Sequence, residues 1–113
     1  MSITEYQEVV DKWIKEIGVR YFDVTTNTLI LNEEVGEFSS LVARIYGEQS
    51  FKKPLTENEQ KKELTDEIAD IFFVLTCLSN QLGINLEEAF AQNLAKKTRR
   101  DSMRHKENPK LKE

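Results

Sequence analysis

Apolar residues recur every three or four positions along almost the whole chain, and no stretch alternates apolar with polar. Only helices can bury such a pattern on one side, so strands are excluded and the chain must fold as all-α. Ile3, Tyr6, Val9, Val10, Trp13, Ile14 and Ile17 share one face of a first helix, which Ser2 with Glu5 opens and Gly18 closes. A second is expected from about Thr28 to Tyr46, after a threonine-rich turn and before Gly47. The loop GEQSFKKPLTE follows, and Thr56 with Glu59 caps a third helix that runs to Leu82 and stops at Gly83. Asn85 with Glu88 opens a fourth, which ends past Arg100. Short connections between four such helices predict a four-helix bundle. The apolar faces of the first and fourth are wide for so short a chain, which points to self-association.

With 113 residues there is room for one domain, expected over 1–104, with residues 105–113 a flexible basic tail. No apolar run reaches 18 residues and the N-terminus has no apolar signal-like segment, so a cytoplasmic protein without membrane partners is expected. Cys77 is the only cysteine, which excludes an internal disulfide and any multi-cysteine metal site. It is expected to be a small buried hydrophobe.

Within this pattern the chain twice writes the same acidic phrase, LNEEVGEF at 31–38 and LTDEIADIF at 64–72. On a helical wheel the apolar arc of the second helix holds Ile30, Leu31, Phe38, Leu41, Val42 and Ile45. Glu34 falls inside that arc, Glu37 at its edge and Glu33 outside. The third helix repeats the arrangement: Glu67 lies inside an arc of Leu64, Ile68, Ile71, Val74, Leu75 and Leu78, with Asp70 at the edge and Asp66 outside. Like charges about 4 Å apart repel by about 4 kcal/mol at an effective dielectric near 20, and burial adds a desolvation cost. Four converging carboxylates must therefore be protonated, paired or bound to metal. A single acidic pair at this spacing is ordinarily a solvated surface. Two matched pairs, each with a member inside the apolar face, favour a metal site. All-oxygen ligands suit Mg²⁺, with Mn²⁺ as the substitute. A di-iron site is excluded by residue type, because it needs Glu-x-x-His from two helices and the only histidine, His105, follows Ser102 at that spacing.

Charge is unevenly placed. From residue 96 onward there are eight Lys/Arg against three Asp/Glu, or +5; the preceding 95 residues hold eight against 17, or −9. In QNLAKKTRRDSMRHK, Asn93, Lys96 and Arg100 fall on one face of the fourth helix, continuing the line of Leu86, Ala89 and Phe90. Basic residues near a helix C-terminus complement its dipole. Beside a cation site they also suit phosphate oxygens. A nucleic-acid binder is disfavoured by the acidic body. Trp13 is first expected to pack in the core, with stacking on a base as its functional alternative.

Together these residues resemble the MazG-like all-α nucleotide pyrophosphohydrolases. EEVGE followed by EIAD resembles that family's EExxE…ExxD signature, and NLAKKTRR matches its N-x-x-K-x-x-x-R element at Asn93, Lys96 and Arg100. The resemblance spans nearly the whole chain. It implies Mg²⁺ bound by Glu34, Glu37, Glu67 and Asp70, hydrolysis of (deoxy)nucleoside triphosphates to monophosphate and pyrophosphate in nucleotide house-cleaning, and assembly as a dimer or tetramer. Glu33 or Glu37 would orient the attacking water, and Asn93, Lys96 and Arg100 would bind phosphates. A dUTP/dCTP-specific or phosphoribosyl-ATP pyrophosphatase of the same superfamily is the alternative substrate reading. A non-catalytic helical interaction module is the alternative outside enzymology.

Overall fold

The computed structural model describes residues 1–112. It contains four helices: α1 (Ile3–Glu16), α2 (Val24–Ile45), α3 (Glu57–Gln81) and α4 (Leu86–Asp101), with a short 3₁₀ turn at Pro109–Leu111. The all-α expectation holds, and among the described residues there is no strand. The caps act as their residue types dictate. Ser2, Thr56 and Asn85 each accept a hydrogen bond from the main-chain N–H three residues on. At Thr56 the Glu59 carboxylate returns a bond to the cap N–H, completing a capping box.

α2 begins four residues earlier than the sequence pattern predicts. Asp23 is its N-cap, accepting from Thr26 N at 2.7 Å, and these bonds hold its carboxyl below the usual range. The threonines that read as a turn lie inside the helix. Thr28 Oγ1 donates back to the Val24 carbonyl at 2.8 Å, so its hydroxyl is satisfied without leaving helical geometry.

α3 is the central element. α2 packs along it antiparallel, and α1 packs on another side of its C-terminal half. That half is consequently buried around most of its circumference, at Val74, Thr76, Cys77, Leu78 and Ser79. Val10, Ile14 and Cys77 form the core cluster, with Tyr6, Tyr21 and Phe73 packed against it. Ile68 and Leu75, assigned by the wheel to the apolar arc, are exposed, because the real contact face lies round toward Phe73 and Cys77.

At the α3–α4 junction Gly83 adopts φ +68, a conformation open to glycine without a Cβ penalty. Ile84 N then bonds the Ser79 carbonyl at 2.8 Å, and α4 leaves at 102° to α3. α4 packs against α1 through its first turns, where Leu86 is buried; from Phe90 onward the stripe predicted to face the core is exposed. The Cα radius of gyration is 18.1 Å, against about 13 Å for a compact chain of this length. No single helix is long and apolar enough to cross a membrane.

Candidate active site

Antiparallel pairing of α2 and α3 sets the register of everything that follows. Asn27 near the start of α2 meets Gln81 at the end of α3, with Asn27 Nδ2 donating to Gln81 Oε1 at 2.8 Å. Seven residues along α2 from Asn27, Glu34 meets Glu67 and Asp70. The i, i+3 spacing on each helix puts the acids on the shared face, and the pairing brings the two faces together. One carboxylate oxygen from each of Glu34, Glu67 and Asp70 lies within 4.8 Å of the others.

Three negative charges at that spacing repel by about 3 kcal/mol per pair at an effective dielectric of 20. No lysine or arginine forms an ion pair with any of them among the described residues. Glu34 Oε2 and Glu67 Oε2 are buried with no hydrogen-bond partner. Burial, and then the neighbouring carboxylates of Glu37 and Glu34, push the Glu67 carboxyl up to about 7. Buried polar atoms are nearly always partnered, so two orphaned oxygens in one cluster have a place for a shared proton or a cation between them. An all-oxygen donor set fits a hard divalent ion.

Two cavities flank the carboxylates. On one side a cavity of about 380 Å³ runs between α2 and α3 beneath α1. Its wet end carries Glu34 and Asp70; its walls are aromatic and aliphatic, with Trp13, Tyr21, Phe22 and Phe73; Asn27 and Arg20 also border it. Such a volume suits a small organic ligand. On the other side, Glu37 and Glu67 border a second cavity with Arg44, Glu63 and Phe51 of the long α2–α3 loop. Glu37 thus stands beside Glu67 without belonging to the three-residue cluster.

The remaining predicted residues are placed as follows. Glu33 is exposed on α2 and borders neither cavity. Trp13 is 46% exposed, so it is not a core residue; it meets Phe73 edge-on at 5.8 Å and presents its ring to the larger cavity. Asn93, Lys96 and Arg100 are exposed on α4, and none of them borders either cavity at the carboxylates. Arg100 is engaged by Asp101, its Nη2 donating to Oδ2 at 2.8 Å. Cys77 is buried as expected, and burial pushes its thiol up to about 11. Sequence reasoning missed Arg20, Asn27, Arg44 and Gln81. Asn27 had a signal available, since it precedes Ile30 and Glu34 on the same helical face; Arg20 and Arg44 had none.

A four-helix α protein with paired acidic motifs meeting across two antiparallel helices, beside a cavity for an organic ligand, has the layout of an all-α hydrolase with an acidic site. The MazG nucleotide pyrophosphohydrolase domain matches residues 22–105, and the chain belongs to that family. It is therefore a hydrolase acting on nucleotides. It is 37% identical over 103 residues to the Bacillus subtilis (strain 168) protein YpjD, covering 91% of this chain and 89% of that one. The crystal structure of YpjD superimposes with a TM-score of 0.74 at 34% identity, over 85% of this chain and 94% of the other. The Bacillus-conserved MazG protein, a nucleotide pyrophosphohydrolase, superimposes with a TM-score of 0.70 at 28% identity, over 85% and 88% of the two chains.

Proposed function

We propose that the chain hydrolyses (deoxy)nucleoside triphosphates to the monophosphate and pyrophosphate with Mg²⁺, in the manner of a nucleotide house-cleaning enzyme. The observation that carries this reading is the carboxylate cluster itself. Glu34, Glu67 and Asp70 converge, and two of their oxygens are buried without a partner beside a cavity large enough for a nucleoside. Glu34, Glu67 and Asp70 would hold the cation, with Glu37 next to Glu67 available to complete the set; Mn²⁺ suits the same donors. When bound, the ion supplies charge neutralisation at the phosphate oxygens and lowers the pKa of an attacking water.

The protein's own part is binding and orientation. Trp13, held edge-on by Phe73, offers a ring face for a base. The aromatic walls exclude water from the nucleoside end, which strengthens electrostatic interactions at the wet end. Glu37 or Glu33 would orient the water; the position of Glu37 beside Glu67 favours Glu37. Arg44 borders the cavity beyond the carboxylates, where the departing pyrophosphate would lie. Asn93, Lys96 and Arg100 would bind phosphates once a second copy brings its α4 to this face. Exposed Phe90 and Leu94 on α4 and the open shape of the single chain support such a homodimer or homotetramer. A cytoplasmic nucleotide pool is the fitting location for this chemistry.

Pyrophosphate release across canonical and modified triphosphates, with and without Mg²⁺, tests the reading. Metal-dependent formation of pyrophosphate in equimolar amount with monophosphate is expected. Release of orthophosphate and diphosphate instead, or turnover indifferent to chelator, refutes it. Activity confined to dUTP and dCTP, or to phosphoribosyl-ATP, would identify the narrower enzymes of the superfamily. No turnover together with altered assembly on charge-neutral substitution would identify an interaction module.

A further inference from the structure

The end of the large cavity away from the carboxylates contains an amide whose orientation is dictated by its neighbours. Gln81 Nε2 donates to the Phe22 carbonyl at 2.7 Å. A carbonyl can only accept, so the Gln81 side chain must present its nitrogen there and its oxygen elsewhere. That oxygen accepts from Asn27 Nδ2 at 2.8 Å, and the same Asn27 nitrogen also donates to Phe22 O at 3.4 Å. Both donor hydrogens of Asn27 are thereby directed at the protein. Its Oδ1 receives no hydrogen bond among the described residues, on a residue that is 5% exposed and borders the cavity. With the amide's donors all turned to the protein, this acceptor is free to take a hydrogen bond from a ligand that fills the cavity.

Position along α2 says what that donor is. Asn27 precedes Glu34 by seven residues, about 10 Å along the helix axis. A nucleoside monophosphate whose phosphate sits at the carboxylates spans a comparable length, so the base edge arrives at Asn27. We infer that Asn27, oriented by Gln81, is a specificity-determining residue that reads the nucleobase by accepting a hydrogen bond from an N–H on its edge. This rests on the triphosphate reading above and deepens it. A fixed acceptor favours bases that carry an edge N–H and rejects those in which it is masked. Gln81 is a positioning residue: without it the Asn27 amide can turn over and present nitrogen instead.

The test uses the best triphosphate from the substrate panel and its counterpart in which the edge N–H hydrogens are replaced by methyl groups. The full-length wild-type protein should prefer the unmethylated substrate by about tenfold or more in kcat/KM. Asn27→Leu should lower turnover of the unmethylated substrate, leave the methylated one little changed, and so erase the preference. Gln81→Leu, which keeps Asn27, should shrink the preference mainly through KM with kcat retained. Should Asn27→Leu fail to give a cooperative melt, the Gln81→Leu ratio decides. Equal use of both substrates by the wild type overturns the inference, as does a preference that persists unchanged in the variants. Neither result touches the triphosphate reading, which stands or falls on metal-dependent pyrophosphate release by the wild type.

Discussion

Gln7 and Asn80 clasp one another across the α1–α3 contact: Gln7 Nε2 donates to Asn80 Oδ1 at 3.1 Å, and Asn80 Nδ2 donates to the Gln7 carbonyl at 3.0 Å. Gln7 also donates to the Ile84 carbonyl at 2.8 Å and accepts from Leu86 N at 2.8 Å. A single buried amide therefore ties α1 to α3 and to both sides of the turn into α4. Asn80 extends the network to Tyr21, whose hydroxyl donates to Asp11 Oδ1 at 2.6 Å. Burial first, and then the Asp11 bond, push that hydroxyl up to about 12.

Replacing Gln7 with leucine roughly keeps the volume and removes the three bonds made by its side chain, while the Asn80 bond to its main-chain carbonyl stays. The Leu86 N–H and the Ile84 carbonyl then lose their partner, so a cost of about 2 to 3 kcal/mol is expected. Urea denaturation checks it: the midpoint should fall with little change in slope. An unchanged midpoint would show that water replaces the side chain at no cost.

Val19 is a β-branched residue at φ 72, where a Cβ crowds the following carbonyl. Val19→Gly relieves that strain and adds some freedom to the unfolded chain, with a net gain of about half to one kcal/mol. A rise in the urea midpoint is the expected reading; a fall would mean that the Val19 side chain contributes packing that outweighs the strain.

The raised Glu67 carboxyl makes the metal-free protein sensitive to pH. Its folded value, about 7, lies above the ordinary 4.5, so between those values the folded state binds more protons than the unfolded state. Stability from this group is therefore fully present below about 4.5 and is lost as pH rises toward 7. Thermal melts in chelator should show the decline, and Glu67→Gln should flatten it. A wild-type melting temperature that follows the variant's at every pH would contradict the shift.

Mg²⁺ should raise the melting temperature at neutral pH, because it would bind the folded cluster and offset the repulsion among its carboxylates. Glu34→Gln and Asp70→Asn should lose that increment while retaining helical circular dichroism. Turnover should drop by roughly a hundredfold or more, the scale of losing one preorganised electrostatic group. Near-normal activity in either variant would remove these residues from the site.

Cys77 should resist thiol reagents in the folded state, since it is buried and its thiol is pushed up to about 11. Labelling at neutral pH should proceed only as fast as the protein opens. Rapid modification without denaturant would show that the α1–α3 contact opens readily.

Three caps, three glycine stops and the 3–4 spacing of apolar residues are local signals, and from them the sequence alone determined the helices, their order and, to within a residue or two, every boundary but the start of α2. The missed start of α2 shows the limit: Thr25, Thr26 and Thr28 have loop-like composition, and Asp23 outweighs them through a bond made only in the folded helix. The acidic repeat likewise marked Glu34, Glu67 and Asp70, because a carboxylate inside an apolar face is costly wherever the helix packs. Tertiary structure decided which faces meet. Register between α2 and α3 placed Asn27 opposite Gln81 and Arg44 near Glu63, and the Gly83 turn sent α4 and its basic residues away from the carboxylates. Contacts of that kind depend on distances between segments far apart in the chain, and no periodicity along one helix encodes them.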